Sequence, residues 1–440
     1  MQTNQYRRRT ILQSGAAGAA ALTLAGCIGG DGGDGGDGGD GGDGGSDGGD
    51  GGSDGGDGGD GGSGPTSVTI PGMYDESGGT SDVGRPTAIG SRDAITYINE
   101  SDEFDVQIEH PNNDYAYEVP QAQQYYNEYT SGSEPPMIIG WGTADTEALS
   151  GTVAEDQVVY ISASYSAKLL TEEAPYNFFG NLDYTSQGRA HLKWIAENDP
   201  ESKIAYIFNN SPFGQSPVEG GKQYAEELGL EVGSDINLPL TANSATTQLR
   251  QAKNDNIDYL IHQNTSAPMR VLLQDKEDVY PEVTVCGLTW TVDERVVSES
   301  PELFEGVRYV SSFRTFEEAL NSGGMGEEII RSSFEREGRS MDDPSVAQLN
   351  YVRGVIHALL ALKGIQNAAE MDLDVTSGQN AREGMFGIED DDMLGLSVPY
   401  TYEEGDRRPT MTGRMFEVTD GTLEFDTEIE LPRRDEWIGL

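Results

Sequence analysis

The chain has 440 residues, with 76 Asp and Glu against 28 Lys and Arg, and a net charge of −48. Without the first 64 residues, 25 basic and 66 acidic residues remain, a net charge of −41. Nucleic acid is excluded as a partner, because neutralising phosphates requires a surface of the opposite sign.

The amino-terminal 26 residues have the parts of an export signal: arginines, a short apolar run, and small residues before Cys27. Arg8-Arg9-Thr10-Ile11-Leu12 resembles the twin-arginine export signal, and Leu24-Ala25-Gly26-Cys27 resembles a lipobox. We predict that residues 1–26 are a twin-arginine signal peptide, and that a lipid on Cys27 anchors the protein at the extracellular face of the cell membrane. The alternative is an unmodified signal peptide, which leaves the protein soluble outside the cell.

Residues 27–66 comprise Cys27, for which we predict lipidation, and a segment of almost only Gly, Asp and Ser. This repeat has no apolar position, unlike a calcium-binding β-roll, and it cannot bury a core. We predict a disordered tether with an r.m.s. reach of roughly 35 Å.

Short apolar strands then alternate with amphipathic helices. The predicted elements are the strand Val68–Tyr74, the helix Pro86–Asn99, the strand Val106–Glu109, the helix Gln121–Tyr129, the strand Met137–Gly140, a helix from about Asp145 and the strand Val158–Ser162. This alternation predicts a parallel sheet with helices on both faces.

The same alternation begins again at Lys203. The predicted elements are the strand Lys203–Phe208, the helix Val218–Leu228, the strand Val232–Leu238, the helix Thr247–Asn254, the strand Tyr259–His262, the helix Met269–Asp275, the strands Val283–Leu288 and Val307–Val310, the helix Val346–Ile365, and the final strands Met415–Val418 and Thr422–Phe425. The fold class is therefore α/β, with two doubly wound, Rossmann-like lobes. Ligands of such sheets bind at the carboxyl ends of the strands.

The residues that follow these strands are glycines, residues with hydroxyl groups and aromatic residues. An enzyme would have catalytic residues at these positions. We predict thirteen ligand-binding residues: Ser77, Trp141, Gly142, Thr143, Asp145, Ser162, Ala163, Ser164, Tyr165, Phe213, Gln263, Asn264 and Trp290. Backbone N–H groups at helix starts suit a carboxylate, and aromatic rings supply flat apolar walls. Two alternatives stay open: Asp145 could cap a helix, and Trp141 and Trp290 could be core residues.

Three motifs carry a more specific resemblance: Ser162-Ala163-Ser164-Tyr165-Ser166, Ser211-Pro212-Phe213-Gly214 and Asp406-Arg407-Arg408-Pro409. From about Val68 onward the chain resembles the substrate-binding proteins of branched-chain amino-acid and amide ABC importers, which have a type I periplasmic-binding fold. The acidic composition resembles that of haloarchaeal proteins. The resemblance implies a three-segment hinge near Asn181–Tyr184, Ser311–Thr315 and Pro399–Tyr402. Lobe 1 would comprise 67–182 plus 316–399, and lobe 2 would comprise 183–315 plus 400–440.

The resemblance also implies a clamp for the solute's carboxylate at Thr143–Thr146 and at Ser162–Tyr165. The acidic residue that holds an amino acid's ammonium group would fall near Thr289 or Trp290, which carry no charge. An amide, a urea-like compound or an aromatic acid is therefore an alternative to an amino acid, unless Asp145 holds the ammonium group.

No motif in the sequence indicates catalysis or a cofactor. The four histidines lack the spacing of zinc ligands, and no nucleophile elbow, P-loop or dinucleotide fingerprint is present. We predict a non-enzymatic, extracytoplasmic binding protein that closes around a small solute and delivers it to an ABC permease in the membrane. A tethered sensor that presents ligand status to a membrane receptor is the alternative, because both functions use one fold.

Overall fold

The computed structural model describes residues 66–132 and 134–440. The predicted signal peptide, the lipidation of Cys27 and all of the predicted tether except its last residue fall outside this part of the chain. Within the described residues, no helix combines the length and the apolar character that a membrane crossing requires.

A five-stranded sheet organises the first part of the chain, which we call lobe 1. The elements of lobe 1 are β1 (Thr66–Thr69), β2 (Gly72–Tyr74), α1 (Ser81–Glu100), β3 (Val106–Glu109), β4 (Asn112–Asp114), α2 (Val119–Thr130), β5 (Met137–Gly140), α3 (Thr143–Asp156), β6 (Val159–Ser162) and β7 (Asn177–Phe178). The strand order of the five-stranded sheet is β4-β2-β5-β6-β7, and all neighbouring strands are parallel. The predicted parallel sheet is confirmed.

The predicted single strand Val68–Tyr74 is wrong, because the segment forms two strands. β1 pairs with β3 in a separate two-stranded sheet, whereas β2 pairs with β4 and β5. Pro71 lies between them and has no N–H to continue a ladder. The helix predicted to begin at Pro86 begins five residues earlier, at Ser81, and contains the proline.

An eight-stranded sheet organises the second part, lobe 2. Its elements are α4 (Tyr184–Asn198), β8 (Lys203–Phe208), α5 (Pro212–Gln215), α6 (Val218–Glu227), β9 (Glu231–Val232), β10 (Ile236–Asn237), α7 (Thr246–Asn254), β11 (Tyr259–Gln263), α8 (Ser266–Val279), β12 (Thr284–Gly287), α9 (Glu294–Glu299), α10 (Pro301–Phe304) and β13 (Arg308–Ser311). These strands follow the order β10-β8-β11-β12-β13, with β9 paired to β8, and two later strands complete the sheet. The predicted strand Val232–Leu238 is wrong, because it is two short strands.

The last part of the chain contributes to both lobes. Its elements are α11 (Phe316–Leu320), α12 (Met325–Glu337), α13 (Leu349–Glu370), α14 (Gly378–Phe386), β14 (Thr412–Thr419) and β15 (Thr422–Glu430). α13 is almost fully buried and packs on α1 and on β5 and β6 of lobe 1. β14 and β15 form an antiparallel hairpin that extends the sheet of lobe 2 beside β13.

The chain passes between the two sheets three times, and hydrogen bonds join the three passages. The Ser312 N–H donates to Asn181 Oδ1 at 3.0 Å, and Ser312 Oγ lies 2.8 Å from Tyr400 Oη. Tyr400 Oη also donates to Gly180 O at 2.9 Å. The passages agree in place with the predicted hinge. The exact lobe limits stay a prediction.

The Asp406-Arg407-Arg408 motif has a structural role beside the third passage. The buried Arg408 pairs with Asp406 at 2.6 Å. Arg407 donates to four carbonyl oxygens of lobe 1 after β6, those of Leu169, Thr171, Ala174 and Asn177. The motif therefore ties the carboxyl-terminal part of the chain to lobe 1.

The acidic excess leads to a prediction about salt. Since like charges on a compact surface repel one another, and molar salt shortens the Debye length to about 3 Å, we expect the melting temperature to fall when KCl is reduced from molar to millimolar concentration. Thermal unfolding monitored by circular dichroism measures this. An equal melting temperature at both concentrations would contradict the expectation.

Candidate functional site

A small cavity lies between the two lobes, at the carboxyl ends of the strands. Its lining residues come from both lobes: Thr80, Val83, Tyr117, Trp141, Gly142, Thr143, Ala163, Tyr184, Phe213, Thr265 and Trp290. The cavity measures about 20 Å³, which leaves room for about one water molecule. A larger solute therefore requires the lobes or the side chains between them to move apart.

Two indoles from opposite lobes form the main contact across this cavity. Trp141 follows β5 of lobe 1 and Trp290 follows β12 of lobe 2, and each is only 3% exposed. Their ring centroids are 5.1 Å apart with an interplanar angle of 63°. Edge-to-face contacts of this kind are favourable for aromatic pairs. A flat solute could replace this contact by inserting between the two rings.

The indole of Trp141 is held by its own lobe. Its Nε1–H donates to Thr80 Oγ1 at 2.9 Å, and Thr80 Oγ1 donates to Asp75 Oδ2 at 2.6 Å. Asp75 also accepts from the Thr80 N–H at 2.7 Å and the Gly78 N–H at 2.5 Å. Because the carboxylate fixes the turn that leads into α1, the position of Trp141 does not depend on contact with lobe 2.

The indole of Trp290 is held mainly by aromatic neighbours. Its Nε1–H donates to Tyr184 Oη at 2.9 Å, and the Tyr165 ring stacks on it at 5.8 Å with an interplanar angle of 7°. Tyr184 in turn meets Phe213 edge to face at 5.5 Å. These rings form a continuous aromatic wall.

Asp145 is a buried acid that lies behind the lining residue Gly142. Tyr115 Oη accepts from the Gly142 N–H at 3.1 Å and donates to Asp145 Oδ1 at 2.8 Å. Asp145 Oδ2 is buried and has no partner among the described residues. Burial raises the pKa of Asp145 to about 7. Asp145 is the third residue of α3, and the N-cap residue Gly142 has no side chain to cap the helix, so helix capping by Asp145 stays an open alternative.

The structure places six of the thirteen predicted residues at the cavity: Trp141, Gly142, Thr143, Ala163, Phe213 and Trp290. The other seven do not line it. Ser77 is exposed, because the turn after β2 points Thr80 inward instead. Asp145 lies behind Gly142, and Tyr165 lies behind Trp290.

The remaining four residues lie behind the lining and support it. Ser164 Oγ donates to Thr143 Oγ1 at 2.9 Å, and Ser162 Oγ donates to Ser164 O at 3.0 Å. Gln263 Nε2 donates to Phe213 O at 3.1 Å. Asn264 Nδ2 donates to Leu238 O at 2.9 Å. Through these hydrogen bonds the four side chains support the cavity wall, and among the described residues Gln263 Oε1 is left without a partner.

Five lining residues were missed by sequence reasoning: Thr80, Val83, Tyr117, Tyr184 and Thr265. Thr265 directly follows the predicted Asn264, and Thr80 lies three residues after the predicted Ser77. Tyr117 carries the clearest structural signal, since it and Ala116 adopt positive φ angles of 60° and 53°. Strained non-glycine backbone of this kind is concentrated at functional sites.

A carboxylate bridges the two lobes at the edge of the cavity. Asp82, in the first turn of α1, accepts from the Ala267 N–H at 3.0 Å and from Ser266 Oγ at 3.3 Å. Both donors belong to the first turn of α8 in lobe 2. Asp82 therefore caps a helix of the opposite lobe, a contact that exists only while the lobes are together.

This contact leads to a prediction for Asp82→Ala. A lost helix cap is worth about 1 kcal/mol, so we expect about fivefold weaker solute binding, with a larger radius of gyration before solute is added. Isothermal titration and small-angle scattering measure the two effects. Asp102→Ala, which removes an exposed carboxylate just beyond α1, is the control. Equal affinity of Asp82→Ala and Asp102→Ala would show that the bridge does not stabilise closure.

Three buried histidines and one buried cysteine lie outside the cavity lining. Burial lowers the pKa of His191 to about 4 and that of His262 and His357 to about 3. The free Cys286 is buried, and burial raises its pKa to about 12. Among the described residues, no group of three or more His, Cys, Asp or Glu side chains is arranged to hold a metal ion.

Comparison with models of known protein families finds a match to one family. The profile of the periplasmic binding protein family matches residues 67–422, which is more than half of the chain. A comparison with curated proteins finds no significant match.

Solved structures with the same fold come from several organisms. An ABC transporter substrate-binding protein from Aeropyrum pernix is 29% identical with a TM-score of 0.76, over 85% of this chain and 98% of that one. A branched-chain amino acid ABC transporter protein from Thermus thermophilus with bound valine is 21% identical with a TM-score of 0.76, over 83% and 96%. A solute-binding protein from R. palustris in complex with benzoate is 14% identical with a TM-score of 0.70, over 85% and 99%.

Proposed function

The chain belongs to the periplasmic binding protein family, and from this premise we propose that it is the solute-binding component of an ABC importer. Proteins of this family bind solutes outside the cytoplasm and are not enzymes. The solute would be a small amino acid, amide or aromatic acid, the range to which valine and benzoate, bound by the Thermus and R. palustris proteins, belong.

The observation that carries this proposal is the meeting of Trp141 and Trp290. Their rings come from different lobes, lie 5.1 Å apart and border the same cavity. Core aromatic residues of a single lobe would not meet across a cleft. A solute that separates the rings gains contact with both lobes, so its binding energy favours the closed arrangement.

Capture would proceed in two steps. The solute first docks on lobe 1 against Trp141 and the start of α3, where the helix has no side-chain cap and its N–H groups favour an anionic or carbonyl oxygen. Lobe 2 then brings Phe213, Thr265 and Trp290 over it. The closed form is the one that a permease would recognise.

The amino terminus supplies the proposed location. A twin-arginine signal would export the folded domain, and a lipid on Cys27 would hold it at the extracellular face of the membrane. The Gly/Asp tether would let it reach the permease. A form without lipid, released quantitatively into the medium by the producing cell, would contradict the anchor.

The experiment that tests the function is identification of the solute. Protein purified in molar KCl is denatured, and the released small molecules are analysed by mass spectrometry. A thermal-shift panel of amino acids, amides and aromatic acids follows. At least one compound should stabilise the wild-type protein. No stabilisation by any compound, with nothing released on denaturation, would contradict the proposal.

A further inference from the structure

A buried arginine without an acidic partner lies next to the cavity wall. Arg353, on α13 of lobe 1, is 0% exposed. Its Nη2 donates to Thr289 O at 2.7 Å and to Thr289 Oγ1 at 3.1 Å. Among the described residues, its Nε and Nη1 have no hydrogen-bond partner, and no carboxylate forms an ion pair with it.

The guanidinium group is in direct contact with a lining residue. Its central carbon lies 3.4 Å from the ring centroid of Trp290, and Trp290 borders the cavity. Phe313 and Tyr165 surround it at 4.8 and 5.9 Å. A positive charge in this aromatic environment is poorly screened by water, so its field reaches the cavity.

Negative groups around the cavity do not balance this charge. None of the eleven lining residues is Asp, Glu, Lys or Arg. The carboxylates near the cavity accept hydrogen bonds from other groups: Asp75 from the turn before α1, Asp82 from the first turn of α8, and Asp145, through Oδ1 alone, from Tyr115. Asp293 and Glu294, which follow Trp290 in the chain, accept from backbone N–H groups. Since a buried charge is usually paired, an anion bound in the cleft would supply the negative charge that Arg353 lacks.

We propose that Arg353 makes the cleft selective for anionic solutes, and that the solute class is an aromatic monocarboxylate. The flat ring would separate Trp141 and Trp290, and the carboxylate would lie at the start of α3, in the field of Arg353. Arg353 acts through Trp290 as a specificity-determining residue and does not touch the solute. This inference rests on the proposed function.

Three probes with the same ring and different charges test it: benzoate, benzamide and benzylamine. For the wild-type protein in molar KCl, isothermal titration should give benzoate at least a tenfold advantage over benzamide, with benzylamine the weakest. Arg353→Met should reduce the advantage of benzoate to less than threefold. Arg353→Lys, which keeps the charge, should retain most of it.

The pattern of affinities distinguishes charge from structure. If Arg353 only supports Trp290, Arg353→Met weakens all three probes by the same factor, and the proposal is overturned. The wild-type comparison needs no variant: equal or tighter binding of benzamide or benzylamine, or no binding of any of the three, also overturns it. If L-valine binds in that case, the proposed function stands and only this inference fails. If no compound of the wider panel binds, the proposed function itself fails.

Discussion

Trp141→Ala and Trp290→Ala should each weaken solute binding by about 30-fold or more. Buried tryptophans at the centre of a binding site typically contribute at least about 2 kcal/mol, which corresponds to about a 30-fold change in affinity. Each indole here is 3% exposed and held by a hydrogen bond to a lining hydroxyl. Isothermal titration with the tightest compound of the solute panel gives the affinity.

A matched control comes from another tryptophan of the same chain. Trp194 lies on α4 and packs against Arg308, the first residue of β13, with the guanidinium carbon 3.6 Å from its ring centroid. This contact is at the opposite end of the strand from the cavity. Trp194→Ala should therefore keep wild-type affinity. If all three variants lose affinity equally, the loss reflects general destabilisation and the role assigned to the two cleft indoles is wrong.

Asp145→Asn should change the pH dependence of stability by up to about 4 kcal/mol. Burial raises the pKa of Asp145 from 3.8 to about 7 in the folded protein, and one pKa unit corresponds to about 1.4 kcal/mol. A raised pKa favours the protonated, folded form, so this stabilisation is complete below pH 3.8 and is lost as the pH rises towards 7. The asparagine side chain of the variant stays neutral at every pH, and its carbonyl oxygen can still accept from Tyr115.

Relative to the wild type, Asp145→Asn should therefore gain stability as the pH is raised from 4 to 8. Denaturant unfolding at both pH values in molar KCl measures the difference. Glu294 is a second buried carboxyl whose pKa is raised to about 7, so the difference between variant and wild type isolates Asp145. Asp102→Asn, at an exposed position, should show no such gain. A constant difference at both pH values would contradict the assignment.

The alternation of strands and helices was readable from the sequence because buried parallel strands are short and apolar. Met137–Gly140, for example, is a strand with every residue buried. The break at Pro71 was missed, since the apolar residues on both sides of it look like one strand. The start of α1 at Ser81 was also missed. A side-chain hydrogen bond between Thr80 and Asp75 fixes the turn before this helix, and the hydrophobic pattern of the sequence does not indicate such a bond.

Part of the candidate site was also predictable from the sequence, because it lies at the ends of recognisable strands. Aromatic residues directly after strands, such as Trp141 and Trp290, lie at the strand ends where the cleft forms. Tyr117 was missed because its position depends on positive φ angles at two consecutive residues. Arg353 was missed because a charged residue within the apolar pattern of α13 gives no indication of the ring it contacts in the other lobe.

The central claim is that a solute binds between the lobes, in contact with both indoles. A crystal structure of the protein with the tightest compound of the solute panel tests it most directly. We predict the solute between Trp141 and Trp290, with their ring centroids farther apart than 5.1 Å. A solute bound elsewhere on the protein, with the two rings still in edge-to-face contact, would contradict the account.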